Sequence, residues 1–243
     1  MKKQYVPSLF SLVPAVAMLL LMVSCDDGPV MPEYAATDAK VVYQVEGRVS
    51  GLDTWPANYT IALAAFSNEG DYALYSKPVK RLEGDKISVS FDNLPQEADR
   101  VEICVLDRIR QRISTIYELP ATAFSETDAD TLRINIPDVA ASMFDAVQKD
   151  VFTPTCSNCH GRSNKAAAGL YLTEGKSYEA LLNKPSQVAG GTLVIPGDAE
   201  NSVLHQVVSS DLTTGRHYDH TKEVVNENTR RLIEQWIVEG AQK

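Results

Sequence analysis

The chain is 243 residues long and carries 23 lysines and arginines against 32 aspartates and glutamates, a formal net charge of −9. This length is sufficient for two domains of ordinary size. An acidic chain without a basic cluster has no positive surface with which to follow a phosphate backbone, so its charge excludes nucleic acid from the expected partners.

The first 24 residues have the features of a bacterial lipoprotein signal peptide. Lys2 and Lys3 give a charged start, a mostly apolar stretch covers 6–23, and the segment ends in Met22-Val23-Ser24-Cys25, which looks like a lipobox. We therefore expect residues 1–24 to be removed and Cys25 to carry the lipid. The mature protein is then exported and lipid-anchored, with the outer membrane as its expected location.

A transmembrane anchor is the alternative for this segment. Its apolar stretch is interrupted by prolines and serines, and the uninterrupted remainder is shorter than a bilayer requires, which favours a cleaved signal. Asp26 and Asp27 resemble the surface-export signal of lipoproteins of the Bacteroidetes group, whereas in other bacteria an aspartate there signals inner-membrane retention. A periplasmic and a surface-facing location both stay open. Cleavage removes two lysines and no acid, which changes the formal charge from −9 to −11.

Residues 25–40 are rich in Pro, Ala and Asp without periodicity and are predicted to form a flexible tether. Residues 41–136 contain short β-branched or alternating runs separated by turn-prone groups, which predicts an all-β sandwich domain of the immunoglobulin or fibronectin type. The predicted strands are Val41–Ser50, Tyr59–Phe66, Tyr72–Val79, Lys86–Phe91, Arg100–Leu106, Arg112–Tyr117 and Thr131–Ile136. Cys104 lies in one of them and is expected to be an unpaired, buried thiol.

The pattern changes at Pro137, and residues 137–243 are predicted to form a second domain. Apolar residues recur with a helical period over 139–151. Shorter helices are predicted over 177–182 and 201–209, and a final amphipathic helix over 226–240 has Leu232, Ile233, Trp236 and Ile237 on its apolar face.

The most informative motif of the chain is Cys156-Ser157-Asn158-Cys159-His160, which is the C-x-x-C-H attachment signature of a c-type haem. The two thiols can bind two vinyl groups of one porphyrin, and the adjacent imidazole can ligate its iron. The spacing therefore predicts one covalent haem c held by Cys156 and Cys159, with His160 as the proximal ligand.

Two other chemistries use a similar spacing. A redox-active C-x-x-C pair is usually part of a βαβ unit, and no such pattern surrounds this motif. A zinc site could combine Cys156 and Cys159 with His217 and His220, although zinc fingers place three to five residues between their histidines and this sequence places two.

The C-terminal part resembles the small cytochrome c domains of exported lipoproteins of the Bacteroidetes group. The matching segments, in order, are Phe152-Thr153-Pro154-Thr155, the haem motif with Gly161, Gly169-Leu170-Tyr171-Leu172, Val194-Ile195-Pro196-Gly197, Asn201-Ser202-Val203-Leu204 and Trp236-Ile237-Val238-Glu239-Gly240-Ala241. The resemblance implies an all-α cytochrome c-like fold for 137–243. It also implies structural roles for Pro196, Gly197 and Trp236, the last packed near the first helix.

The sixth iron ligand is where the chain departs from this family. Relatives usually place a methionine shortly before the terminal helix, but Met143 is the only methionine of the domain and precedes the haem motif. His217 follows an arginine at the corresponding position, so we expect bis-histidine ligation by His160 and His217, with His220 as the alternative. His205 is expected to be a surface histidine. If no second histidine reaches the iron, the site is five-coordinate.

These observations predict a membrane-anchored mono-haem c-type cytochrome that transfers electrons and is not an enzyme. Its expected partners are the membrane, through the lipid, and an unidentified redox protein, for which an acidic surface favours a basic docking patch. Two alternatives stay open: a five-coordinate haem protein that binds a small gas or peroxide, and an interaction or carbohydrate-binding lipoprotein with an accessory haem.

Overall fold

The computed structural model describes residues 42–92, 94–124, 131–161, 166–210 and 218–243. The predicted signal peptide 1–24, the predicted lipidation residue Cys25, the predicted tether 25–40 and the candidate ligand His217 lie outside the described residues. Within the described part, no helix is long and apolar enough to cross a membrane.

In the described part of the chain, nine β-strands form two sheets. The first sheet has the order β4-β5-β1-β8, with β9 also paired to β1, and the second has the order β3-β2-β6-β7. Neighbours are antiparallel except that β8 and β9 both run parallel to β1. The strands are β1 Val42–Ser50, β2 Thr60–Phe66, β3 Tyr75–Pro78, β4 Lys80–Arg81, β5 Lys86–Phe91, β6 Arg100–Leu106, β7 Arg112–Glu118, β8 Thr131–Asn135 and β9 Val139–Ala140.

The two sheets share one hydrophobic core. Alternate residues of the first sheet, such as Val45 and Val89, contribute to the same buried cluster as Leu63 and Ile103 of the second sheet. Strands β2 and β6 are buried on both faces, because Ala62, Ala64, Phe66, Cys104 and Leu106 form a separate small cluster on the other side. This double burial explains why the two strands have continuous apolar sequences instead of alternating ones.

The prediction of an all-α cytochrome c-like fold for the C-terminal part is wrong. The regular structure of the described residues is mostly β-sheet, and the region after Pro137 begins with β9, where Val139 and Ala140 pair with Val49 and Ser50 of β1. The later segments add isolated bridges, among them Leu182 with Val194.

Helices in the described residues are short. The α-helices are α1 Met143–Val147, α2 Ser177–Leu181, α3 Val203–Ser209 and α4 Glu227–Val238, and a π-helix covers Gln148–Phe152. The 3₁₀ turns are Leu52–Thr54, Glu83–Asp85, Ala121–Phe124, Cys156–Asn158, Ala167–Gly169 and His220–Lys222. Helices of this length are marginal in isolation, so their stability depends on the packing of their apolar faces.

The segment around α1 is joined directly to the sheets. The indole Nε1 of Trp55 donates to the Ala141 carbonyl at 2.7 Å, and the Met143 amide donates to Thr54 Oγ1 at 2.8 Å. Lys149 donates to the Thr115 carbonyl of β7. Because β7 is an edge strand of the second sheet, this segment covers part of that edge.

The terminal helix α4 packs against α1. Leu232, Ile233, Trp236 and Ile237 are all buried, as its amphipathic pattern predicted. The ring centroids of Trp236 and Phe144 are 5.3 Å apart, and the Trp236 indole donates to the Gln242 carbonyl at 2.8 Å. The core of the sheets, α1 and α4 is one continuous hydrophobic cluster.

Candidate functional site

The haem motif follows a helix whose geometry changes along its length. Ser142 caps α1 in a capping box: its Oγ accepts from the Asp145 amide at 3.1 Å, and Asp145 Oδ2 accepts from the Ser142 amide at 2.8 Å. The helix then widens into the π-helix, which ends with the Thr153 amide donating to the Gln148 carbonyl at 2.8 Å. Single π-turns of this kind are frequent at functional sites.

Gln148 anchors this segment to the chain beyond the motif. Its Nε2 donates to Thr153 Oγ1 at 3.0 Å and to the Leu172 carbonyl at 3.3 Å, while its Oε1 accepts from the Ser177 hydroxyl. The side chain is buried, so these bonds satisfy both ends of an amide that water does not reach. Gln148 therefore fixes the start of the motif relative to 172–177.

The three residues of the motif lie on one tight turn. The His160 amide donates to the Cys156 carbonyl at 2.9 Å, and the Cys159 amide donates to the same carbonyl at 3.2 Å. Cys156 and His160 are partly buried, whereas Cys159 is exposed. Ser157 Oγ donates to the Thr153 carbonyl at 2.8 Å, which ties the turn to the end of the π-helix.

The imidazole of His160 is held by the backbone. Its Nδ1 lies 3.1 Å from the Ala167 carbonyl oxygen, and since a carbonyl only accepts, Nδ1 carries the proton and donates. Nε2 is then the nitrogen with a free lone pair. A backbone carbonyl that fixes one ring nitrogen is the usual partner of a metal-ligating histidine.

The environment favours the neutral form of this imidazole. Burial lowers the pKa of His160 below its ordinary value, the Ala167 carbonyl opposes that shift, and the nearby His220 lowers the pKa further. A neutral imidazole is the form that binds a metal.

Gly161 allows the chain to leave the motif. Its φ of +136° is unfavourable for residues with a side chain, and a Cβ placed there would lie 2.8 Å from Thr173 Cγ2. The glycine therefore lets 171–173 pass close to the haem motif.

A second histidine faces His160 from a separate segment. The ring centroids of His160 and His220 are 6.1 Å apart, and the ring planes are inclined by only 23°. His220 begins the 3₁₀ turn His220–Lys222, which Asp219 caps by accepting from the Thr221 amide at 3.1 Å. The edge of Tyr218 contacts the His220 ring, with centroids 5.4 Å apart at 88°.

Both thiols of the motif lie near the same segment. Burial raises the pKa of Cys156 to about 11, and the carboxylate of Glu223 adds to that increase. The pKa of Tyr218 is raised mainly by its hydrogen bond to Glu223, and Cys159 contributes to the increase. Segment 218–223 therefore interacts electrostatically with both thiols, and its His220 ring faces the His160 ring.

These residues fit a c-type haem better than a zinc ion. Within the described residues, no group of three or more His, Cys, Asp or Glu side chains is arranged to hold a metal ion. A porphyrin-bound iron needs at most two side-chain ligands, so the pair His160 and His220 is sufficient for it. The half-buried Cys156 and the exposed Cys159, on the same turn as the backbone-held imidazole, would bind the vinyl groups of the porphyrin.

The structure places the other predicted residues as follows. His205 lies partly buried on α3. The Gly197 amide donates to the Ile237 carbonyl at 2.7 Å, so the Pro196-Gly197 segment contacts α4. Trp236 lies against α1, the contact that the family resemblance implied.

Sequence reasoning missed Gln148, Tyr218 and Asp219. The sequence does contain a signal for Gln148: it follows Phe144 by four residues and is therefore a polar residue on the predicted apolar face of a helix. The positions of Tyr218 and Asp219 relative to the motif depend on tertiary packing, for which the local sequence gives no pattern.

Comparison with protein-family models, with curated proteins and with solved structures finds no match for this chain. The resemblance to cytochrome c domains therefore rests on the quoted motifs.

Proposed function

We propose that this protein binds one covalent haem c through Cys156, Cys159 and His160 and serves as a lipid-anchored electron carrier outside the cytoplasm. The observation that carries the proposal is the facing pair of imidazoles, His160 and His220, centred 6.1 Å apart, with His160 on the same tight turn as Cys156 and Cys159. The proposal rests on this motif and its surroundings and not on a cytochrome c fold.

The residues have distinct roles in this proposal. Each thiol, of Cys156 and of Cys159, would form a carbon–sulfur bond to one vinyl group, with its hydrogen going to the other vinyl carbon. The His160 Nε2 would ligate the iron while Ala167 fixes the ring. The bound group supplies a site for reversible one-electron transfer.

The surroundings of the motif support electron transfer over catalysis. Gln148, Ser157 and the Ala167 carbonyl hold the motif in a single geometry, and a fixed geometry suits a group that changes only its charge. The acidic surface of the mature chain favours a redox partner with a basic docking patch, whose association slows as salt rises.

Covalent attachment is tested by producing the full chain, with its signal peptide, in a bacterial host that matures c-type cytochromes. We expect the haem to remain on the polypeptide after acid-acetone extraction and to give the pyridine haemochrome spectrum of thioether-linked haem. The double variant Cys156→Ala, Cys159→Ala should lose the covalently bound haem. Cys104→Ala is the matched control, because this buried thiol lies in the sheet, and it should retain haem. Extractable haem in the unmutated protein would contradict the proposal.

Lipid anchoring is tested separately by labelling cells with a fatty-acid analogue. Wild-type protein should incorporate the label and partition into detergent, whereas Cys25→Ala should do neither. Label on the Cys25→Ala variant would place the anchor elsewhere. Protease digestion of intact cells then distinguishes a surface-facing from a periplasmic protein.

A further inference from the structure

We propose that His220, and not His217, would supply the second protein ligand of the haem iron, together with His160. This inference rests on the proposed function. The two candidate histidines lie three residues apart in the sequence. His220 is chosen because of the position of its ring relative to His160.

The separation of the two rings is the first argument. A metal-ligating imidazole nitrogen lies about 2 Å from its metal, and the ring centre lies about 1 Å further away. Two imidazoles on opposite sides of one iron therefore have centres about 6 Å apart. The observed separation of 6.1 Å between the His160 and His220 ring centres has this size, so the spacing of the two segments suits such a ligand pair once the rings turn their nitrogens towards each other.

The hydrogen bonding of His220 is the second argument. Its Nδ1 is buried and has no hydrogen-bond partner among the described residues. An unpaired buried polar atom normally costs about 1–3 kcal/mol, so such atoms call for an explanation. An aromatic contact with His160 would account for the ring separation alone, but it would leave this nitrogen unpaired. A ring that is not held by a structural hydrogen bond can turn to present a nitrogen to a metal.

The local turn holds His220 in place. Asp219 accepts from the Thr221 amide and hydroxyl and pairs with Lys222 at 3.2 Å, which fixes the backbone on both sides of the histidine. Tyr218 contacts the His220 ring in a T-shaped arrangement, and its hydroxyl donates to Glu223. Tyr218 and Asp219 are therefore positioning residues for the distal ligand.

The test uses the full, haem-loaded protein and three single variants, each checked for covalent haem by its pyridine haemochrome. Optical and electron paramagnetic resonance spectra report the spin state, and carbon monoxide binding reports an open coordination site. The unmutated protein should be low-spin in both oxidation states.

The variants separate the two candidate ligands. His220→Ala should become high-spin, should bind carbon monoxide in the ferrous form and should return to low-spin on addition of free imidazole. His217→Ala and the control His205→Ala should stay low-spin and should not bind carbon monoxide. His220→Met should stay low-spin with a higher reduction potential, since thioether ligation raises it.

Three results would contradict His220 as the second ligand. A high-spin His217→Ala protein, or a His220→Ala protein that stays low-spin without added imidazole, would overturn the assignment. An unmutated protein that is high-spin and binds carbon monoxide would also overturn it and would favour gas or peroxide binding. In each of these cases the covalent haem is still present, whereas its absence from the unmutated chain would contradict the proposed function itself.

Discussion

At the scale of single residues, Gln148 and Glu102 illustrate two different uses of a buried polar group. Gln148 joins three parts of the chain next to the haem motif. Glu102 is buried on the outer side of the second sheet, where it pairs with Arg112 at 2.7 Å and accepts from Thr115 at 2.6 Å. The first residue positions a functional motif, whereas the second is satisfied entirely by strand neighbours.

The substitution Gln148→Leu should destabilise the protein by about 2–4 kcal/mol, because it leaves the Leu172 carbonyl and the Ser177 hydroxyl without their partner. Chemical denaturation measures the change. Gln206→Leu is the matched control, since its amide makes a single bond to the Glu200 carbonyl at 2.7 Å on an exposed surface, and it should cost less than about 1 kcal/mol. Equal losses of unfolding free energy in the two variants would show that the hydrogen bonds of Gln148 stabilise the protein no more than the single exposed bond of Gln206 does.

Thiol reactivity should differ among the cysteines of the haem-free protein. The pKa of Cys156 is raised from 9.0 to about 11, so at pH 8 its thiolate fraction falls by about 100-fold. Alkylation followed by peptide mass spectrometry should therefore modify the exposed Cys159 first and Cys156 much more slowly. Cys104, whose pKa burial also raises, should react only after unfolding. Modification of Cys156 and Cys159 at the same rate would contradict the buried position of Cys156.

The C-x-x-C-H motif is visible in the sequence because five consecutive residues define it, and the haem that it predicts stays a prediction. The choice between His217 and His220 could not be predicted, since both lie in the same short segment, and the position of the His220 ring opposite His160 depends on tertiary packing. Bis-histidine ligation thus stays a prediction.

At the scale of elements, the strands were predicted well and the helices only in part. Alternation and turn residues are local signals, and every predicted strand range overlaps an observed strand, whereas the two-residue strands β4 and β9 were not predicted. The helical period over 139–151 was misleading. Val139 satisfies that period, but it pairs with Val49, ninety residues earlier in the chain, and the helix begins only after the cap at Ser142. Long-range pairing of this kind has no signature in a short window of sequence.

The indole of Trp236 packs helix α4 against α1, where it is buried in contact with Phe144. The substitution Trp236→Ala should reduce the free energy of unfolding by about 3–5 kcal/mol through the cavity it creates. Val238→Ala, on the exposed side of the same helix, is the control and should change it by less than about 1 kcal/mol. Thermal unfolding monitored by circular dichroism measures both, and a loss below about 1 kcal/mol for Trp236→Ala would contradict this packing.

At the scale of the whole molecule, the described residues belong to a single compact unit. The predicted boundary between 136 and 137 falls just before β9, which needs β1 as its partner. The bonds of Trp55 to Ala141 and of Ala141 to the Ser50 carbonyl also cross this boundary.

We therefore expect the mature chain to unfold in one cooperative transition and the fragment 137–243 to be unfolded when it is produced alone. Calorimetry of the mature chain and amide resonance dispersion of the fragment provide the measurements. Two separate transitions, or a fragment with its own folded spectrum, would support two independent domains with the predicted boundary. Supplying residues 41–136 in trans is a useful complement, because it should restore structure to the fragment.

The facing positions of His160 and His220 also affect the conformational entropy of the unfolded chain. A metal bridging them would close a loop of about 60 residues, and a cross-link over that length restricts the unfolded chain by about 4 kcal/mol in the loop-entropy description. The iron would then act as a reversible cross-link between two segments that are distant in the sequence. The haem-loaded protein would resist unfolding more in its six-coordinate state, and His220→Ala would remove this resistance without detaching the haem.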